Sequence, residues 1–458
     1  MSPSAVQTIR LKHAIAMDSA KAIELWLDVV EDPTDRAHQL AALSTSETRA
    51  LGRLLDAETG VELYESIDDQ LAAAVLRQLP MDRVAAFLDL LDSDHAGNVL
   101  REVDGPIREQ WLTALPSERA KVLRGLLSWP EDSAAAHMVP ETLTVRPTMT
   151  APEAVDAIRA SASTMRSDAR TGAYIYVTDD ENRLLGVVPF RNLVLAGLEH
   201  TVDALMEPDV ITVSPLTDQE DAAQLLIDHR LVALPVVDAD NRLLGLLTED
   251  DAADIAEEEA TEDAEKQGGS APLEVPYLRA SPWHLWRKRI VWLLVLFAAE
   301  AYTGTVLRAF EDELEAVVAL AFFIPLLIGT GGNTGTQITT TIVRAMATGQ
   351  VRFRDMPTIL VKEMSTGVLI ALAMCAAAVI RAWTLGVGPE VTLTVSLSVA
   401  AIVLWASFVS SILPLVLKKC RVDPAVVSAP MIATIVDGTG LLIYFMIAKM
   451  TLSQLAGL

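Results

Sequence analysis

The feature that most constrains this chain is the run of apolar segments after residue 285. A bilayer core of about 30 Å needs about 20 apolar residues per helix. Five stretches meet that length, near residues 289–308, 313–343, 356–382, 391–417 and 424–450. A backbone in lipid must satisfy its own hydrogen bonds, so these segments are expected to be helices. Residues 1–280 are different, being charged and soluble in character. The expected fold class is therefore a multidomain membrane protein: an all-α N-domain, an α/β middle and a five-helix transmembrane domain.

Charge narrows the function. The 36 Lys and Arg face 61 Asp and Glu, giving a net charge of -25. A nucleic-acid surface needs cations to displace counterions, so that class is disfavoured, whereas an acidic protein attracts cations. Only Cys375 and Cys420 could form a disulfide or bind zinc, and neither the framework nor the spacing exists. The opening MSPSAVQTIRLKHAIAMD lacks the apolar core of a secretory signal. All histidines lie at or before His284, so no His-based catalyst is expected in the membrane.

Residues 1–135 read as helical, with apolar spacing of the helical kind in LAAAVLRQLPMDRVAAFLDLLD. Leu79-Pro80 with Arg83, and Leu115-Pro116 with Arg119, form a weak repeat in which each proline can start a helix. A small superhelix and an ordinary bundle both fit. Residues 136–251 hold a stronger repeat. NRLLG occurs at Asn182–Gly186 and again at Asn241–Gly245, each between apolar strands and after a helix (PEAVDAIRA; QEDAAQLLI). The Asp/Asn-rich turns suit hairpins. The pattern resembles a tandem pair of CBS domains, a module that often binds adenine nucleotides or ions. Residues 252–280 form an acidic connecting helix followed by the breaker GGSAP.

The pore-forming reading of residues 281–458 rests on two elements. Asp437 lies midway along the last segment, in MIATIVDGTGLLIYF, and an acid at that depth marks an ion path more often than a helix–helix hydrogen bond. Gly329, Gly331, Gly332 and Gly335 in FIPLLIGTGGNTGTQITTT leave room for a second backbone, and Asn333, Thr336, Gln337 and Thr340 offer uncharged oxygens. A packing seam would use the same small residues, but together with Asp437 the pore reading wins. Magnesium prefers oxygen ligands and gives up water reluctantly, so one carboxylate with carbonyls and retained waters suits it. Glu300 is expected near the outer interface. Trp283, Trp286 and Trp292 are expected to be interfacial anchors. Arg287, Lys288, Arg289, Arg344, Arg352, Arg354, Lys418, Lys419 and Arg421 outnumber Arg308, Arg381 and Lys449 on the opposite side. That imbalance places the soluble region in the cytoplasm and the C-terminus outside.

GTGGNTGTQ and VDPAVVSAPMIATIVDGTGLLIYF closely resemble signature segments of MgtE magnesium channels, and EEEATEDA resembles the start of that family's plug helix. The resemblance covers nearly the whole chain. It implies a homodimer in a prokaryotic inner membrane, with a pore between chains lined by the second and fifth spans. It also implies that Asp437 and the carbonyl of Ala433 hold the pore ion. Cytoplasmic Mg2+ would bind Asp218, Glu220, Asp251, Asp254, Glu259, Glu262 and Asp263 and close the channel. Thr336 departs from an Asn of some relatives, and Arg230 stands where an acidic sensor ligand can occur. The ribose-gripping Ser/Thr-x-x-Asp element survives as Thr248 and Asp251, but the first repeat has Pro189 and Asn192. Leu231 replaces a possible adenine-stacking aromatic, so ATP binding is not expected. Competing functions are a channel for another divalent cation such as Co2+ or Ni2+, a membrane-anchored nucleotide sensor, and a CBS-bearing anion channel. No nucleophile–base pair suggests an enzyme.

Overall fold

The structure is a computed structural model that describes residues 10–55, 57–65, 67–162, 172–273, 275, 277, 280–420 and 422–455. Arg421, one of the residues used above to orient the chain, lies outside them. The chain divides into two compact units, Met1–Glu257 and Glu258–Leu458.

The first unit opens with a series of short helices from Leu11–Ala16 to Ser117–Leu127. Their apolar faces bury Trp26, Leu51, Leu76, Phe87, Leu88 and Leu123 in one core. The two Leu-Pro repeats mark helix starts: Pro80 is the N-cap of Met81–Leu90, and Pro116 that of Ser117–Leu127. Proline suits such a position because its missing N–H has no intrahelical partner there. The repeat arginine Arg119 is buried, and its guanidinium donates to the carbonyls of Leu88 and Leu91 and to Ser93 Oγ. It thereby satisfies carbonyls left open at the end of the helix Met81–Leu90.

The α/β part consists of two related hairpins. Tyr174–Thr178 pairs antiparallel with Leu184–Pro189 and parallel with the short strand Thr144–Val145. In the second copy Ala233–Val237 pairs antiparallel with Leu243–Thr248. The repeated turn has one construction in both copies. Asp179 Oδ1 accepts from the N–H groups of Glu181 and Arg183, and Asp238 Oδ1 from those of Asp240 and Arg242. Asn182 and Asn241 both take the left-handed conformation, with φ of 62°, which Asn tolerates better than most residues. They also join the copies. Asn182 Nδ2 donates to Leu243 O at 2.8 Å, and Asn241 Nδ2 to Leu184 O at 2.7 Å. The NRLLG repeat is thus both a turn and the seam between the two copies.

Among the described residues, the second unit holds five helices long and apolar enough to cross a membrane: Pro282–Ala309, Val318–Ala347, Phe353–Leu385, Pro389–Lys419 and Ala429–Thr451. The second span begins later than its hydropathy suggests. Glu311–Ala316 is a separate short helix, in which buried Glu313 meets Lys449 Nζ at 2.6 Å. That ion pair holds the charged turn outside the second span. Glycines set the packing of the second span. A Cβ at Gly331 would lie 2.6 Å from Val436 and 2.7 Å from Ile402, so only glycine lets this helix approach the fourth and fifth spans so closely. The first and third spans leave much of their apolar surface exposed, including Val291, Phe297, Leu369 and Trp383.

Candidate ion path and acidic clusters

The second and fifth spans bring the membrane candidates together. Gly332 faces the fifth span, where a Cβ would lie 3.3 Å from Ala433 Cβ and 3.6 Å from Asp437 Oδ1. The Asp437 carboxylate therefore sits beside a bare stretch of backbone, one helical turn beyond Ala433. Its Oδ1 is buried and has no hydrogen-bond partner among the described residues. Burying a polar atom unpaired is costly, so an acid held this way needs a proton, a cation or water to complete it. On the second span Asn333, Gln337 and Thr340 form an exposed stripe at spacings of four and three. The stripe is separate from the buried face of Gly331, Gly335, Ile338 and Ile342. Thr336 is half-buried next to it, and Gly329 is half-buried with open space where a Cβ would be. Four uncharged side chains are thus available to a hydrated ion at one surface of the chain.

Two residues of the first span lie elsewhere than expected. Thr303 and Tyr302 pack on Gly438, where a Cβ would be 2.5 Å from the Tyr302 ring. Glu300 is one turn before Thr303 and is the charged neighbour of Asp437. The packing of Tyr302 and Thr303 on Gly438 is what brings this part of the first span beside Asp437. Trp292 is likewise no free anchor. Its Nε1 donates to Ser428 Oγ at 3.2 Å, which ties the first span to the start of the fifth. Trp283 and Trp286 remain exposed and stack with ring centres 4.5 Å apart.

The acids named outside the five spans separate into groups. Asp218 is the N-cap of Gln219–His229 and accepts from the Glu220 N–H at 3.0 Å. Arg230 ends that helix in the left-handed conformation. On the long helix Glu249–Gln267, Asp251 accepts from the Thr248 hydroxyl and lies against Asp94 of the helical domain. Burial, followed by the charge of Asp94, raises the Asp251 carboxyl well above its ordinary range. Asp94 is buried on the helix Ser93–Arg101. Asp254 is exposed one turn on, beside His95.

Within the second unit, Glu262 pairs with Lys266, whose Nζ is also 2.7 Å from Asp423 Oδ2. Asp263 is raised by burial and then by Asp423, against the opposing pull of Lys266 and Arg344. Glu259 lies one turn earlier on the same helix. The acids of this helix thus meet different partners along its length. Asp251 is matched by Asp94, and Glu262 with Asp263 by Lys266 and Asp423. Asp94 and Asp423 escaped the sequence reading. Asp423 left a signal, since Asp before Pro in VDPAVV is a helix-capping pattern, and it does cap Pro424–Val426. Asp94 left none, because its partner is distant in sequence. Among the described residues no group of three or more His, Cys, Asp or Glu is arranged to hold a metal ion.

Comparison with known proteins agrees with this architecture. Residues 324–447 match the model of the MgtE divalent cation transporter domain, residues 31–132 the MgtE intracellular N domain, and residues 134–199 and 202–258 the CBS domain. The magnesium transporter MgtE of Thermus thermophilus is 42% identical over 337 residues, which is 74% of each chain. That of Bacillus subtilis is 29% identical over 388 residues, 84% of each. A crystal structure of the cytosolic domain of the Mg2+ channel MgtE in complex with ATP covers 54% of this chain and 99% of its own. It has 30% identity and a TM-score of 0.49. From this extent of identity, the matched domains and the five apolar helices, the chain belongs to the MgtE family of divalent cation transporters, membrane proteins rather than enzymes.

Proposed function

We propose that this protein is a homodimeric magnesium channel or transporter, with its soluble domains in the cytoplasm and its C-terminus outside. The observation that carries this reading is the buried Oδ1 of Asp437, unpartnered among the described residues, beside Gly332 on the span that also carries the uncharged stripe of Asn333, Gln337 and Thr340. A single carboxylate among neutral oxygens attracts a divalent ion while leaving most of its water in place, which allows release as well as binding. The relatives described as magnesium transporters support Mg2+ as the cargo. Two chains meeting about a two-fold axis would bring two copies of Asp437 to one path.

The domain plan that goes with this function is a helical domain over 1–135, a CBS pair over 136–251, a connecting helix over 252–280 and a pore domain over 281–458. Cytoplasmic Mg2+ closes the pore by bridging acids that repel when bare. Asp251 with Asp94, and Asp263 with Asp423, are the pairs in which burial and like charge already call for a counter-ion. Arg230 supplies no such ligand. ATP binds weakly or not at all, since Thr248 and Asp251 are engaged with each other and the first copy offers Pro189 and Asn192 in their place. Micromolar affinity for ATP in calorimetry would reverse that statement.

The deciding experiment is ion uptake by the purified protein in liposomes, comparing Mg2+, Co2+ and Ca2+. Asp437→Asn should lower Mg2+ uptake at least about tenfold, which corresponds to a loss of about 1.4 kcal/mol, while the protein still inserts and dimerises. Normal uptake by the variant removes Asp437 from the path. Preference for Co2+ over Mg2+ would favour the reading in which another divalent ion is the cargo.

A further inference from the structure

A cavity of about 390 Å3 lies where the connecting helix ends and the first span begins. Its floor is the turn Gly269–Pro272, and its walls include Val291, Trp292 and Val426. Local bonding builds it firmly. Gly269 has φ of 75°, and a Cβ there would be 2.8 Å from the Trp292 ring. The Ala271 N–H donates to the Lys288 carbonyl at 3.0 Å, and Ser428 holds the Trp292 indole. The walls are thus largely apolar and held in place, and the lining also includes Arg287 and Lys288. Arg287 is exposed and has no ion-pair partner among the described residues. The third cation of the lining, Lys266, is neutralised by Glu262 and Asp423.

The position decides what fits. The cavity opens at the N-terminal end of the first span, within two turns of the stacked, exposed Trp283 and Trp286. Tryptophans in this setting mark the headgroup level of a bilayer. A ligand there meets both cations and hydrocarbon-like walls. A soluble anion would leave the apolar walls uncovered, and a zwitterionic lipid would bring its own cation beside Arg287 and Lys288, leaving the net positive charge there uncompensated. We propose that this cavity is a binding site for one anionic phospholipid per chain, its phosphate on Arg287 and Lys288 and the start of an acyl chain along Val291 and Trp292. The bound lipid bridges the turn Gly269–Pro272 to the first span and so steadies the joint between connecting helix and membrane.

The test is native mass spectrometry of the full-length protein titrated with phosphatidylglycerol or with phosphatidylcholine of the same acyl chains. The protein should retain one phosphatidylglycerol per chain at concentrations where phosphatidylcholine is lost. Removing both charges in Arg287→Gln with Lys288→Gln should weaken that binding at least about tenfold, by the usual worth of a basic residue near an anionic headgroup. Arg287→Lys should keep it, which separates lost charge from misfolding. Ala271→Phe, which fills the cavity but leaves the charges, should also abolish retention; a merely electrostatic attraction would survive it. Equal retention of the two lipids, or unchanged binding in the double or the Ala271 variant, would overturn the proposal. So would displacement of the lipid by 20 mM inorganic phosphate, which would point to a soluble anion. Efficient cross-linking of Val291→Cys between two chains would assign the cavity to a second copy instead. Should every variant fail to fold, the comparison of lipids and the phosphate competition on the unaltered protein still decide.

Discussion

Lys266 Nζ lies 2.7 Å from Asp423 Oδ2 and also pairs with Glu262. One cation at the end of the connecting helix therefore serves carboxylates from that helix and from the turn before the last span. Although burial opposes its charge, the hydrogen bonds it donates to Asp423 and Glu262 raise the Lys266 ammonium above its ordinary range. The pair is partly exposed, so its contribution is about 1 kcal/mol or less.

Replacing this cation should transfer its role to Mg2+. In Lys266→Met, Glu262, Asp263 and Asp423 lose their common counter-ion. Thermal unfolding of the full-length protein in EDTA should occur a few degrees lower, and millimolar Mg2+ should recover more of the loss than it does in the wild type. A variant that Mg2+ stabilises no better than the wild type would show that these acids do not share a cation site.

The Asp94–Asp251 pair makes a prediction about pH. Burial and the charge of Asp94 raise the folded-state value of Asp251, so the folded protein binds this proton more tightly than the unfolded chain. Stability from this group is complete below the unfolded value, about 4, and declines as pH rises through the raised one. Asp251→Asn keeps an acceptor for Thr248 and removes the penalty. Its unfolding temperature in EDTA should exceed that of the wild type at pH 7 and equal it near pH 4. A bound cation does the same work as the proton, so added Mg2+ should narrow the difference at pH 7. A variant less stable than the wild type at pH 7 would show that the two acids are not in conflict.

Gating is checked by removing the acids together. The quadruple neutral variant of Asp251, Glu259, Glu262 and Asp263 should conduct at internal Mg2+ concentrations that close the wild type. A hundredfold shift between closed and open states needs about 2.7 kcal/mol of differential ion affinity, within reach of several carboxylate sites. Patch-clamp recording at stepped internal Mg2+ measures it; closure at the wild-type concentration would place the sensor elsewhere.

The joint between the repeats can be separated into two physical parts. Asn182→Gly keeps the left-handed backbone and loses the bond to the Leu243 carbonyl, and should cost about 1 kcal/mol. Asn182→Ala loses the bond and also strains the backbone, and should cost about 1–2 kcal/mol more. Denaturant unfolding of the wild type and the two variants gives the comparison. Equal stability of the Gly and Ala variants would remove strain from the account.

Much of the architecture was legible in the chain itself because it depends on local pattern. Apolar length revealed the spans, since lipid leaves a backbone few alternatives to the helix. NRLLG revealed the paired hairpins, since Asp and Asn at those turns carry their own hydrogen bonds and tolerate positive φ. Asp437 stood out because an acid is costly at the middle of an apolar run. Which acids face one another was not legible. Asp94 meets Asp251, Glu300 comes level with Asp437, and Asp423 reaches Lys266 only when distant segments pack. Side-chain type and spacing along one helix determine which residues share a face. What covers that face depends on how neighbouring helices are seated, and here glycines such as Gly331 and Gly438 set that seating by admitting another helix where any side chain would hold it away.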